Sequence, residues 1–381
     1  MEDVSAIVAK LYEGHPYPPP IRDLAEAIAQ GNYQVGDPTL WAPMLWPDGR
    51  PRDKLKILVA GCGTQQAAWF AHTNRACDVI GVDLSEPSLA HHRYLQEKHG
   101  LVNLRLFKGD LRDVAAIGET FDVIVCTGVL HHMKHPDEGM RALANVLADD
   151  GVLVGMVYAA LRRTGVYMMQ DLFRRLDLKA NGKDIAFARH VLASLPPWHF
   201  AHFHISGSQD VQSDAGFVDT FLHPQDRAYT VPQVLALVED NGLHFQGWFE
   251  NALYYPEGST SLPPDILARL TKLADRDQWA SIELLLQWAH WHFFFARKHP
   301  ALAISFAGDA WKTLIPRLNP AVRRAGPTQF TRLGQPIELK PNEIAPFAAI
   351  DGVKTIGDLG VHTRQLFERL WKQGHVMLSR A

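Results

Sequence analysis

Residues 54–157 alternate short apolar runs with helical patterns, and no other feature of the chain narrows its possible folds so far. Strands are predicted at Lys56–Ala60, Asp78–Asp83, Leu104–Phe107, Phe121–Cys126 and Val152–Tyr158. Helices are predicted at Gln65–Asn74, Glu86–His99 and Asp137–Ala148, the last opened by Pro136. Strands and helices alternating at this spacing specify an α/β fold with a mostly parallel, doubly wound sheet.

The flanks break that rhythm. His15-Pro16-Tyr17-Pro18-Pro19-Pro20 cannot lie inside a helix, because proline lacks the N–H and clashes with the preceding turn. Residues 1–53 therefore read as an N-terminal arm around the 54–158 core. After Tyr158 comes a helix over Val166–Leu176, then a long irregular stretch to Asp214 carrying Pro196-Pro197-Trp198. Such an insertion is usually a lid, and 159–218 is read as one. A helix up to Glu239 and a strand over Leu243–Phe249 close the sheet within 219–260. A helical extension over 261–315 follows, with the aromatic run Trp288–Phe295 read as core. Prolines at 316, 320, 327, 336, 341 and 346 read as an extended, mildly basic linker, 316–346. A small α+β unit, 347–381, ends the chain, with Thr355 as a helix N-cap and a last helix over Thr363–Gln373.

Composition excludes several classes. With 381 residues, 47% hydrophobic and 21% charged, the chain can bury a large core. Lys plus Arg number 38 against 41 Asp plus Glu, and this balance argues against a general nucleic-acid binder. Cys62, Cys77 and Cys126 form no C-x-x-C pair, which argues against a disulfide framework and a cysteine-rich zinc site. No basic, then apolar, leader opens the chain. Ile282–Ala296 is too short and too polar to span a bilayer. A cytoplasmic protein with no membrane contact is expected.

The chemistry is carried by Ile57-Leu58-Val59-Ala60-Gly61-Cys62-Gly63-Thr64-Gln65, a strand running through a glycine turn into a helix. Such a turn lets a ligand approach the backbone and meet the free N–H groups of the helix start. Asp83, twenty residues after Gly63, can accept from both hydroxyls of a ribose. A dinucleotide site needs a third glycine where Gln66 stands, so a ligand without a pyrophosphate, such as S-adenosylmethionine, fits better.

Together with Gly81-Val82-Asp83-Leu84-Ser85, the stretch from Phe121 through Thr127-Gly128-Val129-Leu130-His131-His132 to Pro136-Asp137, and Leu147–Leu153, this turn resembles the class I S-adenosylmethionine-dependent methyltransferases. The resemblance covers residues 55–158 and implies a Rossmann-like sheet of about seven strands. It implies that Ala60, Gly61, Gly63 and Thr64 form the cofactor turn, with Gly61 and Gly63 against the methionine part. It places Asp83 and Leu84 at the ribose, Asp110 and Leu111 around the adenine, and Thr127, Gly128 and Val129 beside the sulfonium. The family's turn usually opens with an acid and carries a further glycine after Thr64, where this chain has Ala60 and Gln65. The C-terminal unit resembles the winged-helix regulatory domains of some bacterial members.

Candidate catalytic residues are His131 and His132, just after the fourth strand, and His223 and Tyr229, just before a helix. Tyr17, Tyr158, Tyr167 and Arg227 are candidates for the acceptor pocket. His199, His202 and His204 have metal-like spacing but no acidic or cysteine partner before Asp210, and no metal is assigned. The expected activity is in-line methyl transfer to an O, N or C nucleophile of a small molecule. The alternatives are a protein side-chain methyltransferase, with the C-terminal unit as contact for a partner or second copy, and a non-catalytic cofactor sensor.

Overall fold

The computed structural model describes residue 13 and residues 18–48, 53–206, 208, 210–258, 262–300, 304–360 and 362–380. The chain forms two compact units: Met1–Gln34, Asp53–Phe245 and Glu283–His299 in the first, and Val35–Arg52, Gln246–Ile282 and Pro300–Ala381 in the second. Among the described residues no helix is long and apolar enough to cross a membrane.

In chain order, α1 (Leu24–Ala29) belongs to the first unit and α2 (Pro38–Leu45) to the second. The alternation follows: β1 (Lys56–Ala60), α3 (Gln66–Thr73), β2 (Asp78–Asp83), α4 (Glu86–His99), β3 (Leu104–Lys108), β4 (Phe121–Thr127), α5 (Pro136–Val146) and β5 (Leu147–Tyr158). The insertion expected to be a lid, 159–218, and the residues just after it carry four α-helices among the described residues, α6 (Thr164–Arg175), α7 (Gly182–Ala193), α8 (Ala201–Ile205) and α9 (Asp214–Phe221). Then come α10 (Val231–Glu239), β6 (His244–Trp248), α11 (Pro264–Leu270), α12 (Asp275–Leu286) and β7 (Trp291–Arg297).

The seven strands lie in the order β3-β2-β1-β4-β5-β7-β6. The first five are parallel. Ile57, Leu58, Val59 and Ala60 have no exposed surface, as a central parallel strand covered on both faces requires. The chain leaves β1 toward β2 on one side and returns to β4 on the other, so a crevice opens beyond the carboxyl ends of β1 and β4.

Two expectations are corrected. Residues 261–315 are not helical throughout: Trp291–Arg297 is a strand, antiparallel to β5. A run apolar on both faces has the same hydropathy in a buried strand as in a buried helix, so periodicity does not separate them. Gly155 makes this pairing possible, because a Cβ there would lie 2.3 Å from Cζ of Phe294, its cross-strand partner. The lid is likewise more regular than its prolines suggest. Val166, Met169, Phe173, Ile185, Leu192, Phe217 and Phe221 give it a core of its own.

The second correction concerns 316–346. Rather than a linker it supplies β8 (Leu314–Leu318), β9 (Val322–Arg324), β10 (Phe330–Arg332), β11 (Gln335–Pro336) and α13 (Pro341–Ala348). Pro316 sits in the two-stranded β8–β12 sheet and Pro336 on the outer strand of β9–β10–β11. Edge strands tolerate proline because one side of their backbone needs no partner. Pro341 opens α13, where its missing N–H costs nothing. The remaining elements are α14 (Ile356–Leu359), capped by Thr355, α15 (Arg364–Lys372) and β12 (Val376–Arg380). Phe306, Trp311, Phe330, Phe347, Phe367 and Leu378 share one core, so the small α+β unit begins well before residue 347.

Candidate active site

A cavity of about 450 Å³ occupies the crevice, and every residue lining it belongs to the first unit. Its wall begins at the glycine turn. Gly61 (φ 73°) and Gly63 (φ 55°) are both left-handed, a conformation glycine adopts at little cost. A side chain at Gly61 would also strike Val129, whose Cγ2 lies 2.2 Å from the position of an added Cβ. Gly61 and Cys62 donate their N–H groups to Val82 O at 2.8 and 3.0 Å, binding the turn to the end of β2.

Asp83 closes this side. Gly63 N donates to its Oδ2 and Ser85 N to its Oδ1, each at 2.8 Å. Burial nonetheless dominates and pushes its carboxyl up to about 6. At the end of β3, Asp110 accepts from Arg112 N and pairs with the Arg112 guanidinium, both at 2.8 Å. Space is open here, since a Cβ on Gly109 would meet nothing within 4 Å. Beyond β4, Gly128 (φ 78°) is equally open, with Met156 Cε the nearest atom at 3.8 Å.

Neutral groups stand where the resembling family usually has an acid. Ala60 is buried and off the cavity wall. Gln66 Nε2 instead lies 3.1 Å from Thr127 Oγ1 and 3.3 Å from Gln34 Oε1, and all three residues line the cavity. Thr64 faces away: its hydroxyl donates to Pro18 O at 2.8 Å and fastens the arm to the turn. The open glycines, the carboxylate at the end of β2 and the amide–hydroxyl bridge fit S-adenosylmethionine.

The other half of the cavity is walled by the lid and β7. Tyr158, Arg163, His204, Asp219, Thr220, Trp291 and Phe293 line it with His132. Tyr158 donates to Asp219 Oδ2 at 2.8 Å, and the Arg163 guanidinium lies 3.6 Å from the Tyr158 ring centre. Arg163 pairs with Asp226 at 3.2 Å, both side chains almost wholly buried. Burial drives His204 down to about 3 and His223 well below the usual histidine value, so both are neutral.

Of the cofactor residues expected from sequence, Gly61, Gly63, Asp83, Leu84, Asp110, Leu111, Thr127, Gly128 and Val129 line the cavity, whereas Ala60 and Thr64 do not. Of the acceptor-side residues, His132 and Tyr158 line it. His131 lies behind them, fully buried, its ring centre 3.9 Å from that of Tyr158 and 4.2 Å from that of His132. Tyr167 contacts Asp226 at 3.4 Å, and Arg227 donates to Lys134 O at 2.9 Å. Tyr229 and His223 are also off the wall, and Tyr17 lies outside the described residues. Asp219, Thr220, Arg163, Gln34, Gln66, Trp291 and Phe293 are among the lining residues that sequence reasoning missed. The aromatic run Trp288–Phe295 was the one signal for the last two, and its hydropathy did not distinguish a strand from a helix.

The family described as "Methyltransferase domain" matches residues 58–153, the segment that builds the cofactor half of the cavity. Fold, cavity and domain together define a class I S-adenosylmethionine-dependent methyltransferase. Over 315 residues the chain is 30% identical to the "Uncharacterized protein syc1184_c" of Synechococcus, covering 78% of this chain and 72% of that protein, and it belongs to the same family. The fold is shared with PKMT2 from Rickettsia typhi, at a TM-score of 0.68 and 16% identity over 95% of this chain and 77% of that one. The same protein in complex with AdoHcy matches equally well, at a TM-score of 0.68 over 96% of this chain.

Proposed function

We propose that the methyl acceptor is a small molecule that enters the cavity beside His132 and Tyr158. The carrying observation is that one cavity of about 450 Å³ holds both the cofactor motifs and a set of buried polar lid residues. That size lies within the range of roughly 300–1,000 Å³ typical of small-molecule sites. S-adenosylmethionine supplies an activated methyl group. The protein's part is alignment, worth about 7–11 kcal/mol, and exclusion of water. Arg163, Asp219 and Thr220 orient the acceptor, and Trp291 and Phe293 pack against it. His131, His223, Tyr167, Tyr229 and Arg227 support this wall from behind. Three free, buried cysteines suit a reducing compartment, and we assign the protein to the cytoplasm.

The second reading is a protein side-chain acceptor with the second unit as docking surface. It is favoured by a likeness to Rickettsia typhi PKMT2 that spans 95% of this chain rather than the methyltransferase domain alone. The test is transfer from radiolabelled S-adenosylmethionine into fractionated cell extract. Label among small molecules is expected, and label in protein replaces the first reading with the second.

A further inference from the structure

We propose that His132 accepts the acceptor's proton during transfer, with Asp219 and Tyr158 as its positioning residues, so that the methylated atom must arrive carrying a proton. The inference rests on the reading of this cavity as the methyl-transfer site.

One peptide unit sets the chemistry of two rings. Gln225 N–H donates to His223 Nδ1 at 3.1 Å, and Gln225 C=O accepts from His132 Nδ1 at 3.0 Å. A neutral imidazole carries one ring proton. His223 must therefore hold its proton on Nε2. His132 must hold a proton on Nδ1 to donate to the Gln225 carbonyl, and in its neutral form it keeps a lone pair on Nε2. The two rings stack with centres 3.9 Å apart, so opposite tautomers stand face to face.

Nε2 of His132 lies 3.9 Å from Asp219 Oδ1. The other carboxylate oxygen is taken by the Tyr158 hydroxyl at 2.8 Å. Tyr158 is held in turn between the His131 ring, 3.9 Å away, and the Arg163 guanidinium, 3.6 Å away. A proton arriving on Nε2 of His132 makes an imidazolium beside a carboxylate whose orientation is already set. Such a base contributes about 10²–10⁴-fold when the nucleophile arrives protonated.

The atoms balance without another reactant. The acceptor atom forms a bond to the methyl carbon, the sulfur–methyl bond breaks, and its electron pair returns to sulfur. The proton on the acceptor atom passes to His132 Nε2 and then to water. Hydroxyl and amine acceptors satisfy this step, whereas thioethers and tertiary amines have no proton to give.

The same three side chains could be taken for a metal site, because ligand atoms of His132, Asp219 and His223 lie within 4.8 Å of one another. The tautomers decide against it. A metal on His223 Nε2 would force its proton onto Nδ1, directly against the Gln225 N–H. His132 and Asp219 alone fall short of the three or four protein ligands usual for zinc.

Two experiments on the full chain test the proposal. The first reads ring tautomers by ¹⁵N–¹H correlation with S-adenosylhomocysteine bound, using His132→Asn and His223→Asn for assignment. A proton on Nδ1 of His132 and on Nε2 of His223, both unmoved by equimolar zinc, is expected. The reverse tautomer at His223, or zinc moving both rings, overturns the proposal. The second uses whichever extract fraction accepts label. His132→Ala should lower kcat by about 10²-fold or more, leave S-adenosylhomocysteine affinity unchanged, and recover rate with added imidazole. Asp219→Asn should lower kcat about tenfold at constant KM, with partial recovery in Asp219→Glu. An unchanged His132→Ala rate, no imidazole rescue, or a loss confined to KM overturns the role. Label in protein overturns only the small-acceptor reading, and the His132 test then runs on that fraction.

Discussion

The two halves of the cavity are built in different ways. The cofactor half comes from short turns that follow the parallel strands directly: 61–63 after β1, 83–85 after β2, 109–112 after β3 and 127–129 after β4. Its geometry is mainly backbone geometry, set by left-handed glycines and N–H groups that meet one carboxylate, with the Gln66 bridge to Thr127 and Gln34 as a long-range side-chain contact. The acceptor half joins side chains from β4–β5, three lid segments and β7, with contacts spanning 61 to 93 residues of chain. The comparison teaches that a ligand common to many proteins can be held by local rules. An acceptor particular to one protein is held by tertiary packing.

Substitutions can break that division. The largest effect is expected from Arg163→Met, which strips the buried Asp226 of its cationic partner and leaves it the neutral donors Gln170 and Tyr167. Leaving such a charge uncompensated costs about 3–5 kcal/mol. Denaturant unfolding should show that loss, while S-adenosylhomocysteine still binds the folded fraction with unchanged affinity. A parallel loss of cofactor affinity would mean that the halves are one unit.

Gly61→Ala comes next. It places a side chain at φ 73° against Val129, for about 1–2 kcal/mol of backbone strain plus about 1–3 kcal/mol of overpacking. Its melting temperature should fall, and Val129→Ala in the same chain should recover the overpacking share only.

Asp83→Asn should weaken S-adenosylhomocysteine binding in calorimetry by about 1.5–3 kcal/mol, the worth of a charge-assisted hydrogen bond. The native carboxyl titrates at about 6, and its ionised form is the better acceptor for ribose hydroxyls. Affinity should therefore be full above pH 6 and decline by up to about tenfold per unit below it, as binding must first release the proton. In Asp83→Asn this decline should vanish. A decline that persists would move the titration elsewhere.

The smallest effect is expected from Gln66→Ala, which removes the bridge to Thr127 and Gln34 at about 0.5–1.5 kcal/mol. It sharpens the comparison by locating the methionine end of the cofactor. Affinity for S-adenosylhomocysteine should fall, while affinity for methylthioadenosine, which lacks the amino-acid part, should not.

Strand–turn–helix order and the glycine pair were legible because each acts within a few residues of its neighbours in sequence, and Asp83 because it ends the next strand at a fixed spacing of twenty residues from Gly63. The lid and β7 were not. Trp291–Arg297 is apolar on both faces, and only its pairing with β5 separates strand from helix. Pro316 and Pro336 imitate a linker because their tolerance depends on lying at sheet edges, and Pro341 because it opens a helix, which the proline spacing does not display. Asp219 stood in plain view, yet its role depends on a tyrosine 61 residues away and an imidazole held by the backbone of Gln225.

By itself, then, the sequence determined the parallel sheet, the ligand-binding turn and the class of cofactor, because strand burial, glycine torsions and helix starts are local physics. Only the tertiary structure decided which histidine faces the cavity, which nitrogen of its ring is free, and which carboxylate stands beside it. Those depend on hydrogen bonds between segments that meet only when the core closes.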